Sequence, residues 1–156
     1  MGARSKLTSR MRLFHYAVYE NELELVEKLI RDGANVNEQD ESGSTALHVA
    51  CKERLFEMVK ILVQYGAMMD LQDSKCQTPL QIAVQNGLCQ IASFLVRNGA
   101  DPNFKIEGTT DPLVLAIQEG YVAIAQQLME SGANYEDLSE NLKRKLKSDA
   151  NFLEDY

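Results

Sequence analysis

Four Gly-Ala pairs, Gly33-Ala34, Gly66-Ala67, Gly99-Ala100 and Gly132-Ala133, follow one another at intervals of 33 residues. Three more columns keep the same step: Ala17, Ala50, Ala83 and Ala116; Phe14, Leu47, Leu80 and Leu113; and Leu29, Leu62, Leu95 and Leu128. A chain held to one period in independent columns must fold as a series of similar supersecondary units. Helices this short cannot bury their apolar faces alone, so each unit must be covered by its neighbours.

Thr78–Asn103 shows the unit most plainly. Thr78 is placed to accept a hydrogen bond from an orphan N–H, and Pro79 takes the first helical position, where a missing N–H costs nothing. Leu80, Ala83 and Val84 recur at helical spacing. Gly87 permits a sharp turn. Ile91, Phe94 and Leu95 form a second stripe, which Asn98-Gly99 ends as a left-handed cap does. The register divides the chain into four repeats at about 11–39, 40–72, 73–105 and 106–136. In the second, Arg54 stands where the later repeats carry Gly87 and Gly120, a position that favours positive φ. In the fourth, Asp111 replaces the Thr and remains a good N-cap. Residues 1–10 read as a flexible basic lead. Residues 137–156 read as a C-terminal cap and tail. A helix is expected over Asp137–Lys147, with a capping box at Asp137 and Glu140 and a narrow face of Leu138, Leu142 and Leu146.

Within this register, Thr45-Ala46-Leu47-His48-Val49-Ala50 and Thr78-Pro79-Leu80-Gln81-Ile82-Ala83 resemble the Thr-Pro-Leu-His-x-Ala signature of ankyrin repeats. The resemblance covers about residues 11–136. It implies an all-α solenoid of paired antiparallel helices joined by β-hairpin-like loops. It implies a structural role for His15 and His48, which occupy equivalent positions and would bond neighbouring loops. Asn37 and Asn103 match the loop asparagine that asparaginyl hydroxylases modify in some ankyrin repeats.

The resemblance also implies a concave partner surface built from loop tips and the exposed side of each first helix. Matched by position, its residues are Tyr19 and Glu20 in the first repeat, and Glu41, Ser42, Ser44, Lys52 and Glu53 in the second. The third contributes Ser74, Lys75, Gln77, Gln85 and Asn86; the fourth contributes Glu107, Gly108, Thr110, Gln118 and Glu119. Tyr19 is the aromatic among them, either an interface anchor, as aromatics often are, or a residue packed against the terminal repeat. Met68, Met69 and Leu71 are unusual where the equivalent loops read Asn35-Val36-Asn37 and Asp101-Pro102-Asn103, either as an adaptable exposed contact or as packing beneath the loop.

Composition narrows the function classes. The net charge is −7, and residues 1–12 hold Arg4, Lys6, Arg10 and Arg12 with no acid, so the remainder carries −11. An acidic body favours a basic partner surface and opposes non-specific nucleic-acid binding. Three cysteines without metal spacing fit free thiols in the cytosol or nucleus. No apolar run approaches the about 18 residues of a membrane helix. Each glycine belongs to a repeat column or a turn, so no phosphate loop is present. No catalytic constellation, metal site or cofactor motif emerges.

The expected activity is therefore protein binding without chemistry, as an adaptor or a stoichiometric inhibitor, by a chain monomeric on its own. Short ankyrin proteins include inhibitors of cyclin-dependent kinases, whose second repeat has a shortened first helix; the 33-residue step here is unbroken. The alternative is a nucleic-acid-associated factor using the basic arm Arg4–Arg12 and the cluster Lys143–Lys147. Helix-dipole complementation accounts for that cluster as well.

Overall fold

A computed structural model describes residues 12–104 and 110–148. Among these residues the secondary structure is helical, without strands. Helix α1 includes residues 12–19. It is followed by α2 (Leu23–Arg31), α3 (Ala46–Lys52), α4 (Phe56–Gln64), α5 (Pro79–Gln85), α6 (Cys89–Arg97), α7 (Pro112–Glu119), α8 (Val122–Glu130) and α9 (Glu140–Ser148). The second helices α2, α4, α6 and α8 begin 33 residues apart, as do the first helices α3, α5 and α7.

Local chemistry fixes these boundaries. Thr45 caps α3 by accepting from the His48 N–H, while His48 Nδ1 accepts from the Thr45 N–H. This is a capping box with histidine in the reciprocating position. Asp111 accepts from the Leu113 N–H at 2.9 Å, and Pro112 begins α7. At the other end of the second helices, Gly33 N–H reaches the Ile30 carbonyl and Ala34 N–H the Leu29 carbonyl, both at 2.9 Å. The same two bonds recur at Gly66-Ala67, Gly99-Ala100 and Gly132-Ala133. They define a Schellman motif, whose left-handed residue here is glycine with φ between 84° and 105°. Three of the sequence columns thus belong to one device: the Leu supplies the carbonyl, the Gly the turn and the Ala the closing N–H.

The first helices close in the same way, at Asn21, Arg54, Gly87 and Gly120. Arg54 is left-handed at φ 61° and Asn21 at φ 59°. Arg54 therefore keeps the common turn despite its side chain, and holds a conformation that disfavours one.

The chain divides into two compact units, Met1–Pro79 and Leu80–Tyr156. In the first, α4 packs against α3 and α2. Phe14, Val18, Leu47, Met58 and Leu62 are fully buried there. In the second, α7 packs against α8 and α9, and α6 against α8. Its core holds Leu80, Leu95, Leu113, Ile124 and Leu128. Full burial of one such side chain contributes about 1.5–3 kcal/mol.

The C-terminal helix begins at Glu140, three residues later than expected. The repeat's loop geometry continues past Ala133 and uses the intervening residues. Asn134 Oδ1 accepts from the Glu136 N–H, as Asn35 and Asp101 accept from the N–H two residues on. Asp137 consequently lies in a turn, its carboxylate taking the Asn134 amide. Ser139 directly precedes α9 and its carbonyl accepts from Lys143 N–H. Leu138 and Leu146 are buried and Leu142 is half-buried.

Candidate partner interface

The loop tips are built on a buried or half-buried aspartate. Asp40 Oδ1 accepts from the N–H groups of Ser42 and Ser44 and from the Ser42 hydroxyl. Its own N–H reaches the Ser44 carbonyl at 2.9 Å, which gives the tip a hairpin-like pair without a strand. Thirty-three residues on, Asp73 repeats the arrangement, accepting from Lys75 and Gln77 N–H. Burial pushes both carboxyls up, but their hydrogen bonds outweigh it and hold them below the usual value; Asp40 is helped by His15 and Asp73 by Lys52. Both are carboxylates at neutral pH.

One side-chain rung recurs between successive loops. His15 Nε2 lies 3.1 Å from the Ser44 carbonyl and His48 Nε2 lies 2.9 Å from the Gln77 carbonyl. At the next equivalent position Gln81 Nε2 donates to the Thr110 carbonyl at 3.4 Å. Each rung spans 29 residues. For His48 the network assigns the tautomer: Nδ1 accepts from Thr45 and Nε2–H donates to Gln77. Burial depresses the His48 pKa, partly countered by the Gln77 carbonyl and Asp73. The ring is therefore neutral and structural. A second rung comes from the loop asparagines. Asn37 Nδ2 donates to the Gly66 carbonyl and Asn37 Oδ1 accepts from Met68 N–H; Asn103 does the same with Gly132 and Asn134.

Against this frame the residues expected at a partner surface fall into groups. Tyr19, Glu20, Glu41, Ser42, Glu53, Ser74, Lys75, Gln85, Asn86, Thr110, Gln118 and Glu119 are exposed. Ser44 is not. It is 2% exposed, its N–H bonds Asp40, and its hydroxyl meets Ser42 and Lys52. Its carbonyl receives the His15 rung, so stacking requires the position to be internal. Lys52 is exposed but anchored, with Nζ 3.0 Å from Ser44 Oγ and 3.4 Å from the buried Asp73 carboxylate. Gln77 is half-buried. Glu107 and Gly108 lie outside the described residues, as do Arg4, Lys6 and Arg10 of the basic arm.

Sequence reasoning missed two residues. Leu13 is 44% exposed and Tyr16 60%, and with Tyr19 at 56% they make a stripe along α1. Among the described residues the remaining large apolar side chain exposed to this degree is Met68; Met69 is half-buried. The column pattern pointed the other way, since Leu13 aligns with Ala46, which is completely buried. Beside the stripe, an open cleft of about 400 Å³ is lined by Arg12, His15, Asp40, Glu41 and Ser42. Arg12 and Glu41 form an exposed ion pair at 3.0 Å.

Two of the four cations in the C-terminal basic cluster are engaged at home. Lys143 bonds the Glu136 carbonyl, pairs with Glu140 and lies over the Tyr135 ring. Lys145 donates to the Gln118 carbonyl at 2.7 Å.

Among the described residues no group of three or more His, Cys, Asp or Glu side chains could hold a metal ion, and no buried side-chain nitrogen or oxygen lacks a hydrogen-bond partner. Cys51 is completely buried, which pushes its thiol pKa far up and keeps it protonated. No described helix is long and apolar enough to cross a membrane.

Comparison with known proteins agrees with this geometry. No curated relative matches the chain. Residues 14–106 match the family described as ankyrin repeats, in three copies, and α7 and α8 continue the same helix spacing and caps beyond that match. With the period, the paired helix caps and the side-chain rungs all in one register, the chain belongs to the ankyrin-repeat family.

Proposed function

We propose that this protein is a non-catalytic binding module, an adaptor or stoichiometric inhibitor that acts by covering the surface of a basic partner protein. The α1 stripe of Leu13, Tyr16 and Tyr19 carries the reading. It carries two exposed aromatic side chains, Tyr16 and Tyr19; Glu20 follows Tyr19 in the chain and is exposed, and Glu41 is held by Arg12, the residue before Leu13. Aromatic anchors with a charged rim are what protein interfaces select. The Arg12–Glu41 pair is solvent-screened, so a partner's cation can replace Arg12 at little cost. The second unit has polar, exposed residues of its own at the matched positions, Gln85, Asn86, Gln118 and Glu119.

The test is capture from lysate by the intact protein and by two variants. One changes Tyr16, Tyr19 and Glu41 to Ala; the other changes Gln85, Asn86, Gln118 and Glu119 to Ala. Loss of the same partner from the first variant, at unchanged melting temperature, supports the reading. Identical recovery by all three proteins overturns it. The nucleic-acid alternative draws no support from Lys143 and Lys145, whose ammonium groups are held within their own unit.

A further inference from the structure

The chain contains two Asn-Gly pairs, Asn86-Gly87 and Asn98-Gly99, and both fall in the Schellman turns that end α5 and α6. Asn-Gly is the dipeptide most prone to spontaneous deamidation, because glycine offers no side chain to hinder its nitrogen. In that reaction the glycine N–H loses its proton to water, and the nitrogen attacks the asparagine Cγ. Ammonia leaves and a five-membered succinimide remains. Water then opens either carbonyl, giving aspartate or isoaspartate. The net change is amide plus water to acid plus ammonia, with no oxidant.

The folded turns restrain both reacting groups. Asn86 Nδ2 donates back to the Ile82 carbonyl and Asn98 Nδ2 to the Phe94 carbonyl, both at 2.8 Å. Each side-chain amide is thereby tied to a carbonyl one turn back along its helix. Each glycine N–H is itself donated, Gly87 to Val84 at 2.9 Å and Gly99 to Val96 at 3.2 Å. Attack requires both bonds of a turn to open, which is local unfolding of a helix end.

The two turns are not equally protected. Gly87 is half-buried, and a Cβ built on it would meet the Tyr121 ring at 3.0 Å. The ring thus packs directly on the backbone that must move. Gly99 is exposed, and its cap bond is the longer of the two. We propose that Asn98 is the principal deamidation site of the folded protein, and that Asn86 is chemically equivalent but held closed by Tyr121. This assignment is independent of the proposed binding function. It implies that ageing of Asn98 adds a negative charge at the C-terminal end of α6, where the helix dipole disfavours one.

The experiment incubates the full-length protein at mildly alkaline pH, below its melting temperature, and follows both sites by peptide mapping with an isoaspartate assay. Conversion at Asn98 is expected to exceed that at Asn86 several-fold in the folded protein, and the two rates are expected to converge in concentrated urea. In Tyr121→Ala the ratio of Asn86 to Asn98 conversion should rise several-fold, whereas Tyr121→Phe, which keeps the ring, should leave it near the parent value. The ratio separates the clamp from general destabilisation, which would accelerate both sites together. Equal conversion in the folded parent overturns the proposal. So does a ratio unchanged by Tyr121→Ala.

Discussion

His48 joins its own helix start to the next loop: Nδ1 takes the Thr45 N–H at 3.1 Å while Nε2 meets the Gln77 carbonyl at 2.9 Å. The Nδ1 bond needs the neutral ring, whereas the Nε2 bond to Gln77 is made by either form and favours the charged one. A proton on Nδ1 would face the Thr45 N–H, a donor against a donor, and burial already disfavours the charge.

The folded-state pKa of His48 is depressed below its ordinary 6.5, so the unfolded chain takes up the proton first. Stability contributed by the neutral ring is complete above pH 6.5 and declines as pH falls from there toward the depressed value. His48→Gln should flatten this slope in urea denaturation between neutral pH and pH 5, because glutamine makes the same rung at position 81. The cost at neutral pH should be about 1 kcal/mol, the net value of one hydrogen bond. An unchanged slope would place the titration elsewhere.

Arg54→Gly should stabilise the protein. The residue is exposed and left-handed, and glycine relieves a strain of about 1–2 kcal/mol while giving some back as unfolded-chain entropy. The expected gain of about 0.5–1 kcal/mol is readable as a higher denaturation midpoint. A lower midpoint would mean that the arginine side chain supports the turn.

Asp73→Ala should cost about 2–4 kcal/mol, because it leaves the Lys75 and Gln77 N–H groups and the Lys52 ammonium without their common acceptor. Lys52→Ala removes one exposed partner and should cost much less. Comparable losses from the two variants in chemical denaturation would show the ion pair, rather than the turn, to be the important element.

Ala83→Glu and Gln85→Glu put the same charge two residues apart on α5. Ala83 is fully buried and Gln85 is exposed. The first should destabilise by about 3–5 kcal/mol or prevent folding, and the second should stay within about 0.5 kcal/mol of the parent. Melting curves that fail to separate them would overturn the register.

The helix starts were legible because their determinants are local. Thr45 and Asp111 as caps, Pro79 and Pro112 at first helical positions, and the Gly-Ala closures all act within a few residues of chain. What escaped sequence reading depends on residues far along the chain. Ser44 has the chemistry of a loop tip, and only the His15 rung, 29 residues away, shows why it is buried. Leu13 shares a column with the fully buried Ala46, so its exposure and that of Tyr16 show only in the folded structure. The late start of α9 came from a loop motif that outlasts the helix columns, carried by Asn134 rather than by any apolar residue.

The rungs at a separation of 29 residues, and the asparagine bonds at 29 and 31, make each loop a gauge of chain length. One residue inserted between His15 and Ser44 would shift the carbonyl that His15 meets and misplace the partner of Asn37 only if it fell beyond that residue. Growth or shortening of such a chain is therefore tolerated in whole periods, and the unbroken step of 33 is a length that its hydrogen bonds measure.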